Sequence, residues 1–243
     1  CIARTDDGRR IRHHVTTELS LADKHSAGGG LKSELATFKR RRIREEAAHL
    51  FFQQGYESAT IDAIAERLKV TKPFIYSYYK NKGEILFDIS RLGISVSLEA
   101  LDNCLASPGS PWDRLKLIVD NVTRLILDNE ENIVVYLREE KNLDEASARE
   151  IRELRSLFDH RIATLLLEGT NSGDFTVDNP GLTATTIGGM MSWVALWYTP
   201  GGHWSETEVL ATLIQNVARI VHSPIRTETI DLELRKDAQA SSK

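Results

Sequence analysis

At 243 residues, with 41% hydrophobic and 27% charged residues and a net charge of −4, the chain has apolar material for a sizeable core and is not a disordered segment. Its two cysteines, Cys1 and Cys104, exclude a disulfide-stapled framework. No run approaches the roughly eighteen apolar residues that a bilayer-spanning helix needs, so a cytoplasmic protein away from the membrane is expected.

Charge is unevenly distributed. Residues 37–82 hold ten Lys/Arg against five Asp/Glu, whereas residues 83–243 hold fifteen against twenty-five. A basic module in front of an acidic body predicts a localised contact with a polyanion.

Residues 1–36 mix charges, small residues and the run Gly28-Gly29-Gly30, which predicts a flexible N-terminal arm. From Thr37 the pattern turns helical: Phe38, Ile43, Ala47, Leu50 and Phe51 recur at three- and four-residue steps up to Gly55, a C-terminal stop. Lys39, Arg40, Arg41, Arg42 and Arg44 crowd the start of this helix, where they oppose its dipole, and that favours contact with phosphate over stability alone. A short helix then opens on Thr60 as N-cap, with Ile61, Ile64, Ala65 and Leu68 as its buried stripe. After a break at Leu68-Lys69-Val70, Thr71 caps a second short helix with Pro73 in its first turn, where the missing N–H costs nothing. Two short helices joined by a tight turn make a helix-turn-helix over residues 37–82.

In the second of these helices Ile75 and Tyr79 form the inward face. Lys72, Tyr76 and Lys80 recur on another face, with Ser77 and Tyr78 at its edges. Ammonium and hydroxyl groups so arranged can donate to phosphate oxygens and reach base edges, with Thr71, Lys72, Pro73 and Phe74 at the end that enters a groove deepest. The alternative is that Phe74, Tyr76, Tyr78 and Tyr79 all serve packing, as aromatics at helical spacing usually do.

The segments Thr60-Ile61-Asp62-Ala63-Ile64-Ala65-Glu66-Arg67-Leu68 and Val70 to Lys82 (VTKPFIYSYYKNK) resemble the DNA-binding domain of the TetR family of transcriptional regulators. The resemblance implies phosphate contact from Thr60, Tyr76 and Lys82, groove contact from Lys72, Pro73, Phe74 and Tyr78, and a packing role for Tyr79. Many family members have Gly-Thr in place of Pro73-Phe74, which bears on operator preference. They also have Phe in place of Tyr79, so here a hydroxyl needs a partner inside the module.

Beyond Asn81, which with Glu84 can cap the next helix, helices are expected at about 82–106, 111–128, 130–140, 144–170, 180–198 and 205–222. The fold class is therefore all-α: an N-terminal three-helix helix-turn-helix domain and a larger C-terminal helical domain over residues 83–223. Residues 224–243 are expected to form a flexible tail. In the family the C-terminal part binds a small effector and dimerises through two helices. The candidates here are 180–198, with Gly188-Gly189, and 205–222, with a stripe of Leu210, Leu213, Val217 and Ile220.

The segment from Trp193 to Gly202 is similar to a Trp-x-x-x-Trp-Tyr-x-Pro-Gly-Gly pattern in a subgroup tied to lipid and aromatic-acid catabolism. That resemblance implies an effector that is an acyl-CoA thioester or another hydrophobic acid derivative. Arginines common in that pattern are replaced by Leu196 and Thr199. Arg149, Arg152 and Arg155, with Arg138 and Arg161 nearby, could stand in, or could pair with Glu145, Glu150, Glu153 and Asp159 on a solvated helix. The expected effector residues are Tyr136, Arg138, Arg155, Phe158, Met190, Trp193 and Trp197, although apolar residues at helical spacing are core by default.

No Gly-rich phosphate loop, HExxH or GxSxG is present, so no catalytic residue, metal or cofactor is expected. The expected function is a homodimeric repressor of double-stranded operator DNA released by a small molecule. The alternatives are an activator of the same fold, or a helical small-molecule-binding protein or enzyme that does not bind DNA.

Overall fold

The computed structural model describes residues 30–222, and all regular structure among them is helical. The expected tail and most of the expected arm lie outside the described residues. The chain divides into two compact units, Cys1–Phe38 and Lys39–Lys243. In the first, residues 30–38 are described and form the opening turns of α1, which runs Gly30–Gln54 and so starts upstream of Thr37. The second unit continues with α2 (Ile61–Leu68), α3 (Lys72–Tyr76), α4 (Lys82–Leu105), α5 (Pro111–Asp128) and α6 (Glu130–Glu139). A 3₁₀ turn at Glu140–Asn142 precedes α7 (Glu145–Ser172), α8 (Pro180–Trp197) and α9 (Glu206–His222).

The boundaries follow from capping chemistry. Thr60 Oγ1 accepts from Ala63 N at 3.1 Å, and Asn81 Oδ1 from Glu84 N at 2.8 Å. Ser110 and Asp113 form a reciprocal capping box with Pro111 behind it, and Ser205 and Glu208 exchange the same pair of bonds. α2 ends on Lys69 in the left-handed region (φ 56°), where the N–H of Val70 reaches back to Ala65 O at 2.9 Å. α3 is shorter than expected: it closes at Tyr76, leaving Ser77, Tyr78 and Tyr79 in the turn beyond it.

Two apolar cores form. Ile43, Ala47, Leu50 and Phe51 of α1 pack with Ile61, Ile64, Ile75, Tyr79 and the first turns of α4 (Ile85, Leu86, Ile89). The larger core gathers the end of α4 (Leu98, Leu101, Cys104) with α5, α7, α8 and α9. Helix α4 therefore belongs to both. Helix α6 does too, because Val135 sits in the small core while Ile133 and Val134 sit in the large one. Leu210, Leu213 and Val217, expected as an intersubunit stripe on α9, are buried inside the chain itself.

Where α4 passes from one core to the other its buried residues turn small: Ser90, Gly93 and Ser97 at helical spacing. The two hydroxyls bond back to Leu86 O and Gly93 O, so no partner is needed from a neighbouring helix. A Cβ on Gly93 would lie 3.1 Å from Ile133 Cδ1 of α6. Gly93→Val therefore pushes α6 away from α4 and costs about 1–3 kcal/mol in overpacking, to be read as a lower denaturation midpoint.

Candidate nucleic-acid interface and effector region

Ile75 is fully buried and Tyr79 is 1% exposed, so α3 is anchored by the two residues expected on its inward face. The Tyr79 hydroxyl donates to Asp88 Oδ2 of α4 at 2.5 Å, which supplies the partner that its place in an apolar module demands. Burial first, and then this bond, push the Tyr79 phenol well above its ordinary range, so it stays a donor. Arg40 Nε also reaches Asp88 Oδ2, at 3.2 Å, and Arg44 lies 3.6 Å from it. The Arg40 guanidinium stacks over the Tyr79 ring at 4.2 Å and donates to Tyr78 O at 3.0 Å. The five cations expected at the start of this helix lie near the middle of α1, and two of them, Arg40 and Arg44, clamp α1, α4 and the residues that follow α3 together instead of standing free for phosphate.

Thr71, Lys72, Pro73, Tyr76, Ser77 and Lys80 are exposed together, and Thr60 lies exposed at the start of α2. Tyr76 keeps 47% of its surface in solvent, which separates it from the packing aromatics. Lys72 Nζ pairs with Asp62 Oδ2 at 2.8 Å, and that bond holds the ammonium pKa above its ordinary value. Both members are exposed, so the pair is weak and leaves Lys72 able to turn to a stronger anion. Phe74 is half-buried, 5.2 Å from the Tyr78 ring and with Lys39 Nζ 5.7 Å from its own centroid. Its ring mostly packs, instead of standing free at the tip.

Lys82, expected to touch phosphate, directs its three N–H donors inward. They reach Tyr56 O at 2.7 Å, Ala59 O at 3.0 Å and Glu57 O at 3.3 Å, while the ammonium sits 4.2 Å above the Tyr56 ring. Lys82 fixes the loop that leads into α2 and hence the placement of Thr60.

In the large domain the expected effector residues separate. Tyr136 and Phe158 are buried, Met190 is half-buried against the core, and Arg155 lies with its guanidinium 5.7 Å from the Tyr136 ring centroid. Arg138 is exposed, and Trp193 is 62% exposed, so neither lines the interior. Trp197, 43% exposed, stacks edge-on with Trp204 at 6.1 Å. The arginine row is largely neutralised: Arg155 bonds Glu140 at 2.6 Å, Arg152 bonds Glu145 at 2.9 Å and Arg161 pairs with Asp102.

Tyr136 Oη is buried without a hydrogen-bond partner, as is Thr123 Oγ1 of α5, a residue not expected from the sequence at all. Each such orphan costs about 1–3 kcal/mol. Burial is the main cause of a Tyr136 pKa pushed up to about 12, so its hydroxyl stays neutral. A shallow surface hollow of about 310 Å³ between α4 and α5 is lined by Ala100, Asn103, Cys104, Ser107, Asn121 and Leu125, none of them an expected effector residue.

Two family models match the chain. Residues 43–89 match that described as bacterial regulatory proteins, tetR family, and residues 108–221 match the tetracyclin repressor-like C-terminal domain. The crystal structure of a TetR/AcrR-family transcriptional regulator from Thermobifida fusca is 30% identical, with a TM-score of 0.62, covering 78% of this chain and 99% of that one. The HTH-type transcriptional repressor KstR of Mycolicibacterium smegmatis is 27% identical over 59% of this chain and 71% of its own length. AibR, in a complex with isovaleryl coenzyme A and operator DNA, shares the fold at 21% identity and a TM-score of 0.66, covering 77% of this chain and all of that one. Among the curated relatives the match spans between 43% and 84% of the relative's own length.

The Lys82 geometry gives a discriminating variant. Lys82→Met leaves carbonyls of the α1–α2 loop without donors and lowers stability by about 1.5–3 kcal/mol in a chemical denaturation curve. A phosphate-contacting lysine would instead leave stability unchanged and reduce the salt dependence of DNA binding.

Proposed function

Since the chain belongs to the TetR family of bacterial transcriptional regulators, we propose that it is a repressor that binds a palindromic operator as a homodimer and is released by a small-molecule effector. The observation that carries the DNA-binding part is the exposed row Thr71, Lys72, Pro73, Tyr76, Ser77 and Lys80 on a segment immobilised from behind by Tyr79, Asp88 and Arg40. A rigid, cationic, hydroxyl-bearing edge of this kind fits the major groove, with Thr60 on a flanking phosphate. Lys82 supports Thr60 in this arrangement, and Phe74 and Tyr78 shape the rim. A protein with this role works in the cytoplasm, where the chromosome is. It regulates transcription without catalysing a reaction of its own.

Dimerisation is assigned to the free face of α8. Leu182, Thr186, Gly189 and Trp193 recur at helical spacing and are all exposed, and a Cβ on Gly189 would meet nothing within 4 Å. An apolar face of this extent on a helix otherwise sunk in the core suits a two-fold contact, in which the same patch meets itself. Gly188, the other glycine of the pair, instead lies against Asp159 and Phe158 of α7 within the chain.

For the effector, AibR, with its isovaleryl coenzyme A, supports an acyl-CoA thioester or another hydrophobic acid derivative. The repressor KstR supports negative control. An effector entering the large domain acts through its differential affinity for two arrangements of α4 and α6. A shift there changes the separation of two recognition segments that must match major grooves about 34 Å apart.

A fluorescence-anisotropy titration with duplex DNA from upstream of the protein's own coding region tests the first claim. Lys72→Ala weakens the complex about tenfold and lowers the magnitude of the log–log salt slope by about 0.9. Unchanged binding by both Lys72→Ala and Tyr76→Ala would remove the α3 assignment. Deleting the gene raises target transcripts, whereas a fall would make the protein an activator. Trp193→Asp yields monomers in sedimentation at micromolar concentration and loses operator binding, while a dimer that persists would move the interface elsewhere.

A further inference from the structure

Thr123 Oγ1 and Tyr136 Oη belong to adjacent helices: α5 and α6 meet at Asn129 and both pack against α4 and α8. Thr123 is fully buried, Tyr136 is 6% exposed, and neither hydroxyl has a partner. Val and Phe fill the same two volumes without stranding a polar atom, so the hydroxyls do not serve the stability of the empty protein. A threonine in a helix ordinarily satisfies itself by bonding the carbonyl one turn back, as Thr164, Thr170 and Thr186 do here. Thr123 does not.

The charges around Tyr136 are Arg155, Glu140 and Asp159. All three are engaged: Arg155 Nη2 donates to Glu140 at 2.6 Å, and Asp159 accepts from Thr185 Oγ1 at 2.8 Å. These two positions therefore present neutral hydroxyls in an apolar setting, and the charges beside Tyr136 are already paired. An ionised group placed there would lose its hydration without compensation, whereas a carbonyl or hydroxyl would gain donors that otherwise go unused.

We propose that Thr123 and Tyr136 form the polar recognition point of the effector site and read a carbonyl oxygen or hydroxyl carried by an otherwise apolar molecule. This deepens the regulator reading given above and rests on it. An acyl thioester and a free ketone or aldehyde share that chemistry, and a free carboxylate at neutral pH does not.

The test uses the full chain and the isosteric variants Tyr136→Phe and Thr123→Val. Probes are isovaleryl-CoA, hexanoyl-CoA, 2-undecanone, decanal and sodium decanoate. Operator binding by the unliganded wild type is scored first. If it is absent, the regulator reading fails, and the site is still judged by ligand-induced shifts in melting temperature.

Both variants are expected to melt at or above the wild-type temperature when empty and to bind operator with unchanged affinity. Both should need at least tenfold more thioester or ketone for half-release or half-maximal thermal shift. A response to thioesters alone assigns the carbonyl to an acyl-CoA, and a response to the ketone and aldehyde assigns it to a free carbonyl compound. Variants that melt lower while keeping the wild-type half-point would overturn the proposal, as would a wild type that answers to decanoate alone or to no probe.

Discussion

One carboxylate holds the recognition segment in place. α3 has five residues, far below the length of about 12–15 at which a helix persists alone, so nothing local can keep its exposed edge in register. Asp88 does so from α4: it accepts from Tyr79 at the end of the segment and meets Arg40 and Arg44 of α1. Arg40 closes the loop by donating to Tyr78 O. A charge-assisted cluster of this kind, partly screened from water, is stronger and more directional than the surface ion pairs elsewhere on the chain. The orientation of Lys72 and Tyr76 is thus inherited from α4.

The same dependence couples the recognition segment to the large core. α4 runs unbroken from the small core, where Asp88 sits, to Cys104 in the large one. α6 makes a second connection: Val135 enters the small core, Glu139 accepts from Tyr56 N at 3.3 Å, and His49 Nδ1 lies 2.8 Å from Glu131 Oε1. Tyr136, which follows Val135 on the same helix, carries the orphaned hydroxyl. A molecule bound at that hydroxyl, as proposed, would perturb a helix already in contact with the base of the small core, and close packing at Gly93 against Ile133 would pass the displacement to α4.

Helix positions were largely legible: Asn81 with Glu84 marked the start of α4 because capping is local chemistry, and the spans 111–128 and 180–198 agree with α5 and α8 to within a residue. The start of α1 was not, since residues 30–36 lack an apolar stripe and follow a run of glycines. Side-chain roles were harder where the partner is remote in sequence. Nothing near Arg40 or Lys82 announces Asp88 or the carbonyls of Tyr56 and Ala59, so both read as free cations. The outward face of α8 was equally hidden. That helix is apolar all round, so its periodicity could not say whether Trp193 points into the core or out of it. Thr123 gave no signal because an unpartnered hydroxyl is a property of packing.

The central claim is that the edge from Thr60 to Lys80 is the DNA-contacting surface. Amide hydrogen exchange of the full chain, with and without duplex DNA from upstream of its own coding region, tests it most directly. The account predicts that added protection concentrates in peptides covering residues 60–80, with the body of the large domain little changed. Protection confined to the large domain, or none at DNA concentrations that saturate binding, would contradict it.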